Sequence, residues 1–198
     1  MKLLLFGGTF DPPHIGHMNL LRSVMELVGP DQVVVMPAGT PPHKKASATP
    51  ARWRHEMCAC FKALETPGGA RILVSDWEIE QGGRSYTIDT LEMLEREYPG
   101  AELYLSIGSD MLLSFKTWRR WEEILAKATL VVESREEGDL PALKAAAEGL
   151  APHGGRVLFA HAPALPMASS HIRAGLAGDE ALPPPVGEIA RKYHLYGR

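Results

Sequence analysis

The sequence predicts an α/β fold: a Rossmann-like open parallel sheet with helices on both faces, in a single domain spanning residues 1–198. Three observations predict it. Short apolar, β-rich runs alternate along the chain with longer segments of helical period. Several of the runs are continuously apolar, as strands covered on both faces must be. The first run ends in a glycine pair, the punctuation expected where a strand delivers the chain to a ligand at the carboxyl edge of a sheet.

The strands are read in order at Leu3–Phe6, Val33–Met36, Arg71–Val74, Leu103–Ile107, Leu130–Val132 and Arg156–Phe159. Between them, helical period covers Met18–Leu27, Trp53–Leu64, Thr87–Tyr98, Trp121–Ala126 and Leu140–Gly149. Ala38 to Pro50, with three prolines and Lys44-Lys45, reads as a mobile loop. Leu182-Pro183-Pro184-Pro185 reads as a rigid lead into a last helix, Val186 to Tyr193. No internal repeat and no linker divides the chain.

Hydrophobic residues at 45% and charged residues at 23% describe an ordinary soluble globular protein. A net charge of −3 gives no general attraction to nucleic acid or anionic membrane, so a site for anions must concentrate positive charge locally. Met1-Lys2 and four apolar residues are too short for the core of a signal peptide, and no run approaches a membrane span. Cys58 and Cys60, two apart on a helix, point to different sides. Two free thiols then fit a reducing cytoplasm, the expected location. A homo-oligomer is compatible with all of this.

Chemistry concentrates in Gly7-Gly8-Thr9-Phe10-Asp11-Pro12-Pro13-His14-Ile15-Gly16-His17. Paired glycines let backbone N–H groups approach phosphate oxygens. His14 and His17, three apart where a helix begins, share a face beside the positive end of the helix dipole. Gly7, Gly8 and Gly16 have no packing reason visible in the sequence. Strand, turn and histidines therefore make an anion site suited to phosphate. A metal held by Asp11, His14 and His17 is the rival, disfavoured by the glycines and the dipole. No G-x-G-x-x-G and no Gly-Lys-Ser/Thr occurs.

This segment resembles the N-terminal signature of the H-x-G-H nucleotidyltransferases, and its Asp-Pro-Pro form is similar to the bacterial nicotinate-nucleotide adenylyltransferase family. Further stretches follow in that family's order. Pro41-Pro42-His43-Lys44 is similar to its lysine loop, and Arg54-His55-Glu56-Met57 to its Arg-x-x-Met helix. Asp76-Trp77-Glu78 with Ser85 to Leu91 is similar to its substrate-recognition segment. Ile107-Gly108-Ser109-Asp110 and Trp118 match the stretch holding adenosine and the pyridine ring. Ser169-Ser170-His171-Ile172-Arg173 resembles its C-terminal phosphate motif. One departure is visible: Ala168 stands where the family usually has a serine, which removes a hydroxyl from the triphosphate end.

The resemblance implies transfer of AMP from ATP to nicotinate mononucleotide, giving deamido-NAD and pyrophosphate, with magnesium accompanying ATP on phosphate oxygens and water. In-line attack on the α-phosphate needs no protein nucleophile, so catalysis should be positioning and charge neutralisation. His14, His17, Lys44 and Arg173 are the catalytic candidates, with His17 on the α-phosphate. ATP is assigned Gly7, Gly8, Thr9, Phe10, His14, His17, Gly108, Asp110, Ser169, Ser170 and Arg173. Hydroxyls and amides at Ser169-Ser170 with a guanidinium one turn on form a second anion site, so a triphosphate can lie between two helix N-termini.

The acceptor is assigned Lys44, Ser85, Tyr86, Thr87 and Trp118. Trp118 can stack on a flat cationic ring. The helix start at Ser85-Tyr86-Thr87 offers amides and hydroxyls to a carboxylate, which favours nicotinate over nicotinamide. Asp110 suits two ribose hydroxyls; its other reading is an N-cap. Three rivals stand: another adenylyltransferase such as phosphopantetheine adenylyltransferase, a class I aminoacyl-tRNA synthetase, and a sensor that binds ATP without turning it over. The second lacks here its Lys-Met-Ser-Lys-Ser motif. Ser85-Tyr86-Thr87 with Trp118 weighs against the first, and intact His14, His17, Lys44 and Arg173 against the third.

Overall fold

Among the described residues, six strands form one parallel sheet: β1 (Lys2–Gly8), β2 (Gln32–Pro37), β3 (Arg71–Val74), β4 (Glu102–Gly108), β5 (Ala128–Glu133) and β6 (Val157–Ala160). The computed structural model describes residues 1–40, 47, 49–133, 140–161, 165 and 167–198. Every strand read from the sequence is present, its ends within two residues. The order is β3-β2-β1-β4-β5-β6. The chain runs outward from β1 to β3, returns to place β4 beside β1, and runs outward again. Its direction reverses between the carboxyl ends of β1 and β4, where open α/β sheets hold their ligands.

Strand period two sorts the apolar side chains into two layers. Leu4 and Phe6 of β1 and Val33 and Val35 of β2 enter one; Leu3, Leu5, Val34 and Met36 enter the other. The helices that cover these layers are α1 (Ile15–Val28), α2 (Ala51–Cys58), α3 (Trp77–Gln81), α4 (Thr87–Glu97), α5 (Ser109–Leu113), α6 (Trp121–Lys127), α7 (Leu140–Glu148), α8 (Ser169–Arg173) and α9 (Pro184–Lys192). The first layer is closed by Leu21, Val24, Met25 and Val28 of α1, an i, i+3, i+4, i+7 stripe, and by residues of α2, α8 and α9. The second is closed by α4, α5, α6 and α7.

Three details differ from the sequence reading. The helix expected over 53–64 is α2 followed by a tighter 3-10 turn, Ala59–Ala63. That tightening turns Cys58 and Cys60 into the same layer rather than to different sides. Both are free thiols, and burial pushes Cys60 up to about 12 and Cys58 upward too. The last helix starts at Pro184 rather than Val186, because a proline's missing N–H is harmless in a first turn. Helices α3 and α5, five residues each, are too short to show a period. No helix among the described residues is long and apolar enough to cross a membrane.

Candidate active site

Gly7 and Gly8 are the last residues of β1, and the Gly8 carbonyl accepts the Ala38 amide at 2.8 Å just beyond β2. Gly7 has open space where a side chain would stand, as expected for backbone that approaches a ligand. Gly8 does not: a β-carbon there would meet the Phe10 ring at 2.8 Å. The reading that Gly8 has no packing role is corrected by this contact.

Phe10 adopts a left-handed backbone, φ 49°, and buries its ring among Phe6, Phe61 and His17, at centroid distances of 5.7, 5.3 and 5.2 Å. That conformation costs a non-glycine residue about 1–2 kcal/mol. Burying the phenyl ring returns about 1.5–3 kcal/mol, so packing wins. The ring backs His17 from the core side. Only the backbone of Phe10 is left to meet a nucleotide.

His14 is the N-cap of α1. Its backbone N–H donates to Nδ1 of His17 at 3.3 Å, and the two imidazoles lie 3.8 Å apart, inclined by 33°. Nδ1 of His17 is therefore an acceptor, which puts the proton of the neutral ring on Nε2. His14 is 5% exposed and His17 half-buried. The histidine pair read from the sequence is thus brought together just beyond the carboxyl end of β1, the strand that pairs with β4.

Both oxygens of the Asp11 carboxylate are engaged by hydroxyls. Its Oδ1 accepts the hydroxyl of Tyr196 at 2.8 Å and its Oδ2 the hydroxyl of Ser47 at 2.5 Å. Arg173 Nη1 donates to the Asp11 carbonyl at 2.6 Å and lies 3.9 Å from Oδ2. Ser169 donates its hydroxyl to the Pro12 carbonyl at 2.9 Å. Helix α8 is thereby docked on the loop that follows β1. The single hydroxyl proton of Ser169 is used in that docking, which leaves exposed Ser170 and the 43% exposed Arg173 to meet an anion. Ala168 is the N-cap and contributes no side-chain bond.

Arg54 lies on the apolar face of α2 and is only 2% exposed. Its guanidinium reaches three carbonyls from three segments: Thr9 at 2.7 Å, Gly39 at 3.2 Å and Thr49 at 3.4 Å. Burial pushes its pKa down, and the charge of Asp11 works the other way. Beneath the loop of residues 9–11, Arg54 is a fixed cation. Glu78 is the counterpart on the acceptor side. Burial raises its pKa, while the Thr90 hydroxyl, bonded at 2.7 Å, opposes the rise. A β-carbon on Gly39 would stand 2.4 Å from the Glu78 carbonyl, so these segments are in close contact.

Thr87 opens α4 behind the N-cap Tyr86, as read from the sequence. The amides of such a first turn have no acceptor within the helix. The Ser85 amide is bound by the Thr40 carbonyl at 3.1 Å. Arg119 lies over the Tyr86 ring at 4.7 Å, which joins the stretch carrying Trp118 to this turn. Trp118 is half-buried, 5.2 Å from Phe115 on its core side. Tyr86 also lines a pocket of about 310 Å³ with Trp77, Arg84, Ser85 and Asp89 among others, and Trp118 is not part of that lining. Asp110 is exposed in the first turn of α5, and the N-cap position falls to Gly108. Lys44 lies outside the described residues.

Sequence reasoning marked the stretches carrying Arg54 and Glu78 by resemblance without giving either residue a role, left out Tyr196, and weighed Asp11 only as a metal ligand. For Arg54 a signal existed: residues 54, 57, 58 and 61 share one helical face, and the other three are apolar. Tyr196 carried none, since its partner is 185 positions away.

The sequence model of the cytidylyltransferase-like family matches residues 5–175. A "Probable nicotinate-nucleotide adenylyltransferase" of Neisseria meningitidis serogroup B is 35% identical over 201 residues, 98% of each chain. One from Acidithiobacillus ferrooxidans is 37% identical, over 90% of this chain and 86% of the relative. Among solved structures, Plasmodium falciparum nicotinic acid mononucleotide adenylyltransferase complexed with NaAD is similar in fold, with a TM-score of 0.78 at 19% identity, covering 99% of this chain and 97% of that one.

Proposed function

We propose, for a chain that belongs to the cytidylyltransferase-like family and within it to the nicotinate-nucleotide adenylyltransferases, that its two histidines serve the α-phosphate, that Arg173 serves the rest of the triphosphate, and that Trp118 with the start of α4 holds the acceptor. The reaction is transfer of AMP from ATP to nicotinate mononucleotide, giving deamido-NAD and pyrophosphate in NAD biosynthesis.

The observation that carries this division of roles is the hydrogen bond from the His14 amide to His17 Nδ1. It makes Nδ1 an acceptor and so puts the proton of the neutral His17 ring on Nε2, at the carboxyl end of β1. A phosphate of the acceptor attacks the α-phosphorus of ATP in line, and pyrophosphate leaves. Charge then grows on the equatorial α-oxygens, where a preorganised donor lowers the barrier because it needs no reorientation. The buried charge of Arg54 beneath the same loop adds to the attraction for phosphate. The backbone of Gly7, Gly8, Thr9 and Phe10 follows the phosphates, Gly108 and Asp110 face the ribose, and Ser170 supports Arg173. Lys44 is assigned to the phosphates and the acceptor.

Magnesium arrives as part of the ATP complex, on phosphate oxygens and water. The donor set fits that arrangement: both Asp11 oxygens are engaged by hydroxyls, and among the described residues no three His, Cys, Asp or Glu side chains converge on a point. The chain acts as one catalytic domain in a reducing, cytoplasmic setting.

Pyrophosphate release with ATP and either nicotinate or nicotinamide mononucleotide tests the assignment. Release with nicotinate mononucleotide, roughly ten- to a hundredfold more efficient than with the amide, is expected. Release with neither would mean a sensor rather than an enzyme, and release only with another phosphate acceptor would mean a different adenylyltransferase.

A further inference from the structure

The last residues of the chain are fastened to the first loop. Tyr193 stacks on Trp53 of α2, with centroids 3.6 Å apart and planes inclined by 23°. Arg198 pairs with Asp179 and donates to the Ala177 carbonyl at 3.1 Å. Between these two anchors His194 and Tyr196 both adopt left-handed backbones, φ 52° and 58°. Such a conformation is costly for an aromatic residue and persists only where its surroundings impose it. What it achieves here is to turn the Tyr196 hydroxyl onto Oδ1 of Asp11 at 2.8 Å.

Asp11 is where the ties of the phosphate site meet. Its Oδ2 takes the Ser47 hydroxyl, and Ser47 in turn accepts the Thr49 amide at 3.0 Å. Its carbonyl takes Nη1 of Arg173. Asp11 is buried, its side chain 7% exposed, so water cannot replace a lost partner freely, and the carboxylate's orientation depends on both hydroxyls. Arg173 is bound through one nitrogen, which leaves its other N–H groups for a ligand.

We infer that Tyr196 is a positioning residue for AMP transfer: by donating to Asp11 it fixes the loop carbonyl that aims the Arg173 guanidinium at the triphosphate. This rests on the reading of Arg173 as a phosphate ligand. The hydroxyl proton of Tyr196 is spent on Asp11, so its effect on the phosphates runs through that carboxylate. Burial, with the Asp11 charge beside it, also raises the pKa of the phenol, so the hydroxyl stays a donor at neutral pH.

The test is steady-state kinetics of Tyr196→Phe, Arg173→Ala and the double variant, with melting temperatures alongside. Tyr196→Phe keeps the ring and its packing and removes only the donor. It should lower kcat/KM for ATP about tenfold, the effect of one lost hydrogen bond to a charged group. The KM for nicotinate mononucleotide should stay within about twofold. In the Arg173→Ala background the same change should add less than about twofold, because the residue through which it acts is gone. Normal ATP kinetics in Tyr196→Phe beside an impaired Arg173→Ala would overturn this inference alone. Losses that multiply in the double variant would do the same, since Tyr196 would then act independently of Arg173. Normal ATP kinetics in Arg173→Ala would overturn the parent reading and this inference with it. Should Tyr196→Phe melt early, Ser47→Ala loosens the same carboxylate from its other oxygen, and the same cycle with Arg173→Ala must again be non-multiplicative.

Discussion

Gly16 is the floor on which the imidazole of His14 lies. A β-carbon at that position would stand 2.9 Å from both Cε1 and Nδ1 of the ring, closer than real side chains approach. The glycine between the two histidines is therefore required by packing, and the packing serves the site. His14 can cap α1 and lie against His17 only because residue 16 has no side chain.

Gly16→Ala should displace the His14 ring and loosen the pair. A fall in kcat of at least about tenfold is expected, with a melting temperature changed little, since alanine suits a helix better than glycine does. A fully active Gly16→Ala would mean that the His14 ring can lie elsewhere without loss.

His17 offers a sharper comparison. His17→Ala should lower kcat by about 10²–10³, the usual effect of removing one preorganised donor, and alter ATP binding much less. Asparagine places its oxygen near Nδ1 and can keep the bond from the His14 amide, whereas glutamine can place an NH₂ near Nε2. If Nε2–H is the working donor, His17→Gln should retain more turnover than His17→Asn. The reverse order would move the chemistry to the other nitrogen.

On the acceptor side, Trp118→Ala should lower efficiency with nicotinate and nicotinamide mononucleotides alike, because stacking does not distinguish the substituent. Thr87→Ala should weaken the nicotinate substrate selectively and narrow the gap. A carboxylate uses several donors at a helix start, and each polar group left unpaired costs about 1–3 kcal/mol. Equal effects of Thr87→Ala on both substrates would remove the carboxylate from the start of α4.

Glu78 has a pKa raised by burial. Such an acid is neutral in both states below its ordinary range, near pH 4. As pH rises the unfolded chain ionises first, so native stability declines through the interval between the two pKa values. Glu78→Gln keeps an acceptor for Thr90 and has no charge to desolvate. Its melting temperature relative to the parent should therefore increase between pH 4.5 and pH 8. A difference that stays constant across that range would show that Glu78 does not contribute to the pH dependence of stability.

The sheet was legible because burial on both faces writes itself into consecutive residues, as in Val33–Met36 and Leu103–Ile107. The histidine pair was legible because Gly8, His14, Gly16 and His17 lie within ten positions of one another. Phe10 was legible only as part of the motif: its ring belongs to the core, a fact decided by Phe61, which comes from another element. Arg54, Glu78 and Asp11 hold segments that only the folded chain brings together. Nothing local in Lys192-Tyr193-His194-Leu195-Tyr196 announces a hydroxyl destined for residue 11. The short α8 was foreseen as a helix start, yet the use of Ser169 to dock it on Pro12 is a contact across 157 positions.

The bond between Tyr196 and Asp11 has a consequence for how the protein is made. Translation proceeds from residue 1, so the loop with both histidines emerges from the ribosome long before its final partner is synthesised. The six strands among the described residues all precede residue 161, so they are synthesised before Tyr196. A chain interrupted at residue 190 would carry the residues of the strands, the histidines and Arg173, and would lack the hydroxyl that steadies Asp11. The phosphate site is thus finished only once a residue 185 positions beyond Asp11 has been made.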